Sequence, residues 1–451
     1  MSLFASLSAA SNTLDAFNRS LAVVQNNVTN ASTAGYVRQR MPLLPRPFDP
    51  TLGVAGGVST GELESSRRDY TESAVRRQNS LAGRFDELAT SLSRLEGTFD
   101  ATGTQGIPRA LTRLFDSFSA LAVAPSDPLA RQFVLDRAGD LVREVNAADA
   151  GLARAQQEAV AQSGRLADRI NELGDRLRSF NAEIRRDRSV ADDPGVDAEI
   201  HTTLESLSEL VDIQTLRAAD GTFTVLLGGQ SGLVIGETAF PLRTEFDGTS
   251  VRIFDPTGAD ITDQVNSGRL RGALEAAGSV IPGWRSQLDQ LAASVADTVN
   301  AGLVSGVDKN GVPGVPLFTY TTADDAAATL SMGNITPDQV AAAAATAPGG
   351  NANALDLAAL AGGPQIDGLT FNGFYSRISA AVGEQLTGAT HDREVSESLL
   401  VQARELRQQE SGVSLDEEAA RLLELQRAYQ ATARLFTVLD SLTETTINML
   451  R

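Results

Sequence analysis

A mainly α-helical fold is predicted for this chain: terminal coiled-coil helices, a long helical bundle between them, and a small β-rich domain inserted into the bundle. Three features predict it. Both ends carry apolar residues at alternating gaps of four and three, and the stretch from Arg68 to Leu210 keeps a helical period. Between Val211 and Arg271 that period gives way to short β-rich runs parted by Asp-Gly and Gly-Gly turns.

At the N-terminus Leu3, Leu7, Ala10, Leu14, Phe17, Leu21, Val24 and Val28 draw one narrow seam on a helix. Leu422, Leu425, Tyr429, Thr432, Phe436, Leu439, Thr443, Thr446 and Leu450 draw its counterpart at the C-terminus. Two such positions in every seven is the geometry of a coiled-coil seam. The same stripes would also suit the core of one closed bundle. A single helix of this kind is marginal alone in water, so both ends are expected to become ordered when neighbouring subunits supply the missing faces.

The elements follow in order. The first helix is expected to stop near Asn26 to Asn30, where Asn-Asn and Thr-Asn-Ala-Ser invite caps and turns, so that 1–40 forms an assembly helix and a turn. Residues 41–67, with Pro42, Pro45, Pro47, Pro50 and the Gly53 to Gly61 run, read as an extended connector. Residues 68–210 read as the first part of the bundle. There Leu81, Phe85, Leu88, Leu92 and Leu95 mark one helix, Pro108 to Ala122 another, and Ser126-Asp127-Pro128 the start of a long third. In 211–271 the runs Thr222 to Leu227, Leu233 to Ile235, Phe240 to Arg243 and Val251 to Phe254 read as strands of an outer domain, placed far from the joined termini. Residues 272–412 return to the bundle, with helices at Pro282 to Leu303 and Phe371 to Glu410 and a loop-rich insertion at 305–365. Residues 413–451 form the C-terminal assembly helix.

Composition narrows the function. A length of 451 residues implies two to four domains. The formal charge of -19 disfavours nucleic acid and anionic membrane, both of which need basic patches. The absence of cysteine removes disulfides, thiolate metal sites and cysteine nucleophiles. No run is long and apolar enough to span a bilayer, and the start lacks the pattern of a cleaved secretory signal.

Chemical signatures are weak. His201 and His391 lie far apart and neither sits in H-E-x-x-H, so no metal or catalytic role is assigned. Asp308-Lys309-Asn310-Gly311 resembles the start of a calcium loop but lacks the glutamate at the twelfth position, and reads as an Asn-Gly turn. The sequons at Asn18, Asn27 and Asn30 fall in the assembly helix and its cap, and Trp284 reads as a core anchor. No serine lies in G-x-S-x-G. No enzyme, metal or cofactor is predicted. Arg19, Arg38 and Arg427, with Asp416, Glu417 and Glu418, are candidates for setting register through charge.

One stretch is more specific. Residues 26–40, NNVTNASTAGYVRQR, resemble the N-terminal signature of the bacterial flagellar rod, hook and hook-associated axial proteins, with Asn27, Asn30, Thr33, Gly35, Tyr36 and Arg38 fitting and Ala34 standing where proline is common. The Tyr36 to Gln39 ending is more similar to the hook-associated members than to rod or hook proteins. The C-terminal stretch from Leu415-Asp416-Glu417-Glu418 through Gln426 to Ala431, and the helical stretches 125–135 and 281–300, resemble the same family. The resemblance implies a structural protein that joins hook to filament, meeting copies of itself, the hook protein, a second junction protein and the filament. It also implies export through the flagellum without a cleaved signal, a cytoplasmic chaperone on the C-terminal region, and an extracellular place in the flagellum. The alternatives are another axial protein (distal rod, hook or flagellin-like) or a surface-binding module displayed on a flagellar frame.

Overall fold

The computed structural model describes residues 3–47, 56–95 and 105–449. Helix α1 (Leu3–Thr29) is followed by strands β1 (Gln39–Arg40), β2 (Leu43–Pro45), β3 (Val58–Thr60) and β4 (Glu64–Ser65). Helices α2 (Asp69–Ser93), α3 (Gly106–Val123), α4 (Pro128–Arg186) and α5 (Pro194–Leu210) come next. The β-rich stretch holds β5 (Ile213–Arg217), β6 (Phe223–Leu227), β7 (Ser231–Ile235), β8 (Thr238–Ala239), β9 (Arg243–Phe246) and β10 (Val251–Phe254). Helix α6 (Arg269–Glu275) runs through a π-helical turn (Ala276–Val280) into α7 (Ile281–Ser305). Short pieces follow: β11 (Gly306–Val307), β12 (Phe318–Thr319), α8 (Ala326–Thr329), β13 (Ser331–Met332), β14 (Ala343–Ala344) and α9 (Ala352–Ala359). Helices α10 (Phe371–Ser411) and α11 (Leu415–Met449) come last.

Local chemistry sets the helix limits. At the start of α4, Pro128 occupies a first-turn position where no backbone donor is needed, and Asp127 Oδ1 accepts from Leu129 N at 2.9 Å. Helix α5 begins the same way, with Pro194 preceded by Asp193, whose Oδ1 accepts from Gly195 N and Val196 N. Helix α1 ends at its asparagines, where Asn30 Nδ2 turns back to Asn26 O at 3.1 Å.

The chain groups into two compact units. The first comprises Met1–Ala82, Arg169–Pro241 and Ser396–Arg451. Its antiparallel sheet has the order β5-β6-β7-β8. Phe223, Val225 and Leu227 of β6 are buried and alternate with half-buried neighbours, as a strand with one covered face requires. The covering element is the last part of α4. A Cβ at Gly174 would lie 3.7 Å from Val234, and Asn181 grips two strands' ends by donating to Phe223 O (2.8 Å) and Gly236 O (2.7 Å) while accepting from Phe223 N (2.8 Å).

The second unit comprises Gly83–Asp168 and Leu242–Val395. Leu111, Leu114, Phe118 and Leu121 bury one face of α3, where Phe115 stacks on Phe371 with ring centroids 5.8 Å apart. Trp284, expected as a core anchor, is 2% exposed on α7. The π-helical turn displaces a carbonyl from the regular ladder, and buried Gln156 of α4 donates to it, Nε2 to Ala277 O at 3.1 Å. Within 305–365 the chain folds into paired short strands and small helices, held partly by Asn300, which accepts from Leu317 N and Phe318 N and donates to Phe318 O.

Two segments differ from the sequence-based expectation. The stretch 211–271 is not one compact body, because β5 to β8 belong to the unit that holds the terminal helices and the β9–β10 hairpin belongs to the other. Alternation and turn residues identify strands, while the buried faces of Phe223 and Val225 in one case, and Val251 and Ile253 in the other, decide where each set packs. The connector 41–67 pairs β2 with β3 in an antiparallel ladder of its own and sends β4 back to β1, just before it, in a second. Its residues 48–55, including Pro50 and Gly53, lie outside the described residues.

Candidate assembly site at the terminal helices

Asn27, near the end of α1, meets Glu418, in the first turn of α11, so the two helices run antiparallel. Their apolar core is Phe17, Val24 and Leu425, with Leu21, Leu43, Leu422, Ala428 and Tyr429 packed against it. Of the other expected seam residues, Leu3, Leu7 and Leu14 are half-buried and Val28 is 41% exposed. On α11, Thr432, Phe436 and Leu439 are half-buried, Thr443 is buried, Thr446 is exposed, and Leu450 lies outside the described residues.

The deepest line on α1 runs through Ala10, Thr13, Phe17, Ser20, Val24 and Asn27. Polar or small residues thus hold the heptad row next to the one occupied by Leu14, Leu21 and Val28. The connector covers that side. Gly57, at φ +75°, brings its backbone so close that a Cβ would fall 2.9 Å from Ala9 O, and Val58 N donates to Thr13 Oγ1 at 3.1 Å. An apolar pattern does not register Thr13 and Ser20; the heptad steps from Thr13 to Ser20 to Asn27 are the signal.

A knot of hydrogen bonds closes the root of the pair. Asn27 is 1% exposed and uses all its side-chain capacity: Nδ2 donates to Gln39 O (2.9 Å) and Glu418 Oε2 (3.0 Å), and Oδ1 accepts from Gln39 N (2.9 Å) and Tyr36 Oη (3.0 Å). Arg38 spans to α11 with Nε on Glu418 Oε1 and Nη1 on Glu417 Oε2, each at 2.6 Å. Glu418 is itself 1% exposed, so its charge is held by charge-assisted bonds out of water. Burial, followed by the nearby Glu418 charge, pushes the Tyr36 phenol up to about 12. Asn30 and Thr33 shape the turn itself, with Thr33 Oγ1 donating to Asn30 Oδ1 at 3.2 Å.

Gly35 fixes how this turn meets the rest of its unit. Its φ is +74°, and a Cβ there would fall 2.5 Å from Ala198 O on α5. Arg67 Nη2 donates to Gly35 O at 2.7 Å and the same guanidinium pairs with Glu72 (2.6 Å) and Asp197 (2.8 Å). Arg407 of α10 bridges Glu72 and Glu205, and Arg404 also pairs with Glu205. Burial pushes the Glu205 carboxyl up, but Arg407 and Arg404 outweigh it and hold it below the usual range. This ring of α2, α5 and α10 side chains was not anticipated; single charges on four separate segments leave no local pattern.

His201 sits inside the ring, 3.9 Å from Glu72 and 3.7 Å from Asp197, edge-on to Phe223. Burial, then Arg67, Arg76, Arg217 and Arg407, hold its pKa well below 6.5, so it is a neutral packing group. Among the described residues no group of three or more His, Asp or Glu side chains could hold a metal ion. Of the other charges considered for register, Arg19 pairs only with Asp15 of its own helix at an exposed site, and Arg427 and Asp416 form no ion pair among the described residues.

Farther along, α11 exposes a second apolar row. Leu435, Val438 and Leu442 are 54%, 55% and 49% exposed and Met449 is 80% exposed. With Ala431 and Thr445 these residues alternate gaps of four and three, which makes a heptad row beside the one that meets α1.

Comparisons with known proteins agree with this architecture. Residues 92–318 match the family description "Flagellar hook-associated protein FlgK helical domain", and 407–449 match "Flagellar basal body rod FlgEFG protein C-terminal". Flagellar hook-associated protein 1 of Bacillus subtilis is 27% identical over 99% of this chain and 98% of its own length. The protein of that name in Escherichia coli is 25% identical over 68% of this chain, which spans 58% of that relative. The solved flagellar hook junction protein FlgK from Burkholderia pseudomallei shares the fold, with a TM-score of 0.68 over 76% of this chain and all of that one, at 15% identity.

Proposed function

The chain belongs to the family of the flagellar hook-associated protein FlgK, and from this we infer that it is a structural component of the bacterial flagellum at the junction of hook and filament, built in by self-assembly through its terminal helices. The observation that carries the mechanism is the contrast along α11. Its first turns are locked to α1 and the turn by saturated hydrogen bonds, while Leu435, Val438 and Leu442 face solvent in the isolated chain.

A half-covered heptad pair of this kind completes its seam against copies of itself. Asn27, Gly35, Tyr36 and Arg38 fix the angle at which the pair leaves its unit. Leu3, Leu7, Leu14, Leu21 and Val28 on α1, together with the outer row of α11, supply the surface for neighbouring copies, for the hook protein below and for the second junction protein and filament above. Before assembly the same greasy C-terminal region is what a cytoplasmic chaperone would cover, and the chain travels to its place through the flagellum. Electron microscopy of cells lacking this protein tests the reading. Bare hooks with filament monomer shed into the medium are expected, and normal filaments on normal hooks would refute it.

A further inference from the structure

A groove of about 410 Å³ lies in the first unit between α2 and the start of the sheet. Ser73, Arg76, Arg77 and Ser80 form the helix wall; residues 212–216 and the Gly228-Gly229 turn form the other. Four consecutive strand residues, Ile213 to Leu216, line it, although side chains alternate between faces. The groove therefore runs along the edge of the strand rather than over one face. β5 is the edge strand, with β6 on its other side.

The ladder shows which backbone groups are spare. Ala218 N donates to Thr222 O, and Gly228 N donates to Asp212 O, across the β5–β6 pair. In an antiparallel ladder both backbone groups of a residue point the same way, so the even-numbered residues of β5 face β6 while Ile213, Thr215 and Arg217 turn theirs outwards. The outward groups have no backbone partner among the described residues.

The opposite wall carries unpaired positive charge. Arg76 is half-buried; its one hydrogen bond is Nη2 to Thr215 Oγ1 at 3.1 Å, and no carboxylate lies within ion-pair distance of it among the described residues. Glu72, Asp69 and Glu205 act on it only from farther off, and burial weighs against its charge. Neighbouring Arg77 is exposed. Asp212, just before β5, is the acidic residue that lines one end of the groove. A desolvated guanidinium with four unused donors beside an open strand edge matches an extended chain that brings carboxylates.

We propose that this groove binds an extended acidic peptide segment as an added strand on β5, with its backbone on Ile213 and Thr215 and a carboxylate on Arg76 and Arg77. The hydroxyls of Ser73 and Ser80 border the path, and exposed Leu216 offers apolar contact to alternate side chains.

The test is a fluorescence-polarisation titration of the full chain with a dye-labelled, end-blocked hexapeptide of alternating glutamate and valine. Saturable binding is expected, weakened about tenfold or more when lysine replaces glutamate in the peptide, or when the protein carries Arg76→Gln or Arg77→Gln. N-methylation of alternate peptide amides, which leaves charge intact and removes strand pairing, is expected to abolish binding. Exposed Arg77 can be changed without disturbing packing, so that variant and the N-methylated peptide decide the matter should Arg76→Gln unfold. Equal binding of parent and N-methylated peptides, equal binding by wild type and Arg77→Gln, or no saturable binding at millimolar peptide would each overturn the proposal.

Discussion

The root and the far end of the α1–α11 pair solve opposite problems. At the root, buried Asn27 and Glu418 are tied to each other and to half-buried Arg38, and removing any one of the three would take a partner from another. Farther along α11, large aliphatic side chains lie in water with nothing on them. The root is therefore complete within one chain and fixes geometry; the outer row is incomplete within one chain and supplies association energy. Polar closure at one end and apolar exposure at the other let a subunit be folded before it is assembled.

The strongest way to break this contrast is to remove α1. A chain lacking residues 1–28 is expected to stay soluble and helical by circular dichroism yet to attach no filament to hooks; normal attachment would sink the assembly role of the pair. A finer cut separates the two ends. The double change Leu435→Gln and Leu442→Gln is expected to leave monomer stability within about 0.5 kcal/mol in urea unfolding, since both residues are largely exposed. It should nonetheless abolish hook–filament joining in complemented cells. A large loss of monomer stability would mean that the row packs within the chain.

Much of this was legible in the sequence, for physical reasons that also mark where legibility stops. Spacing of Leu, Phe and Val reveals a helix and its greasy side, so α1 and α11 are plain to read. Which apolar row is deepest depends on what else covers the helix, and Gly57 and Val58 of the connector turn Thr13 inwards. The turn was readable because Asn27, Gly35 and Tyr36 each perform something few other residues can. The ring of Arg67, Glu72, Asp197, Glu205 and Arg407 was not, because charges that meet only in three dimensions look like an ordinary solvated surface in one. The division of 211–271 was hidden for the same reason: hairpins are local, but the faces they cover are not.

Within the root, the deepest group should cost the most. Asn27→Leu takes the partner from Glu418 Oε2, the Tyr36 hydroxyl and the Gln39 backbone, and is expected to destabilise the first unit by roughly 2–4 kcal/mol in urea unfolding. The loss should be accompanied by faster amide exchange along α1; unchanged exchange would show that the knot does not hold the pair. Gly35→Ala meets both a positive φ and the Ala198 carbonyl, so a loss of roughly 1–3 kcal/mol is expected, with α1 and α11 still helical. An effect on exchange in α5 is part of that expectation, because the clash falls there.

The smallest change separates the two ends by pH. Tyr36→Phe removes one donor to Asn27 and is expected to cost about 1 kcal/mol at neutral pH. The unfolded phenol ionises near 10.0 and the folded one at about 12, so between those values unfolding releases a proton and rising pH favours the unfolded chain. The stabilisation contributed by this group is complete below pH 10 and disappears as pH climbs through 12. Wild type should therefore lose stability faster than Tyr36→Phe across that window, in paired urea titrations that cancel the other tyrosines. The outer row of α11 carries no ionisable side chain, so its contribution to assembly should not follow the same curve. Parallel slopes for the two proteins would place the phenol in water and remove it from the knot.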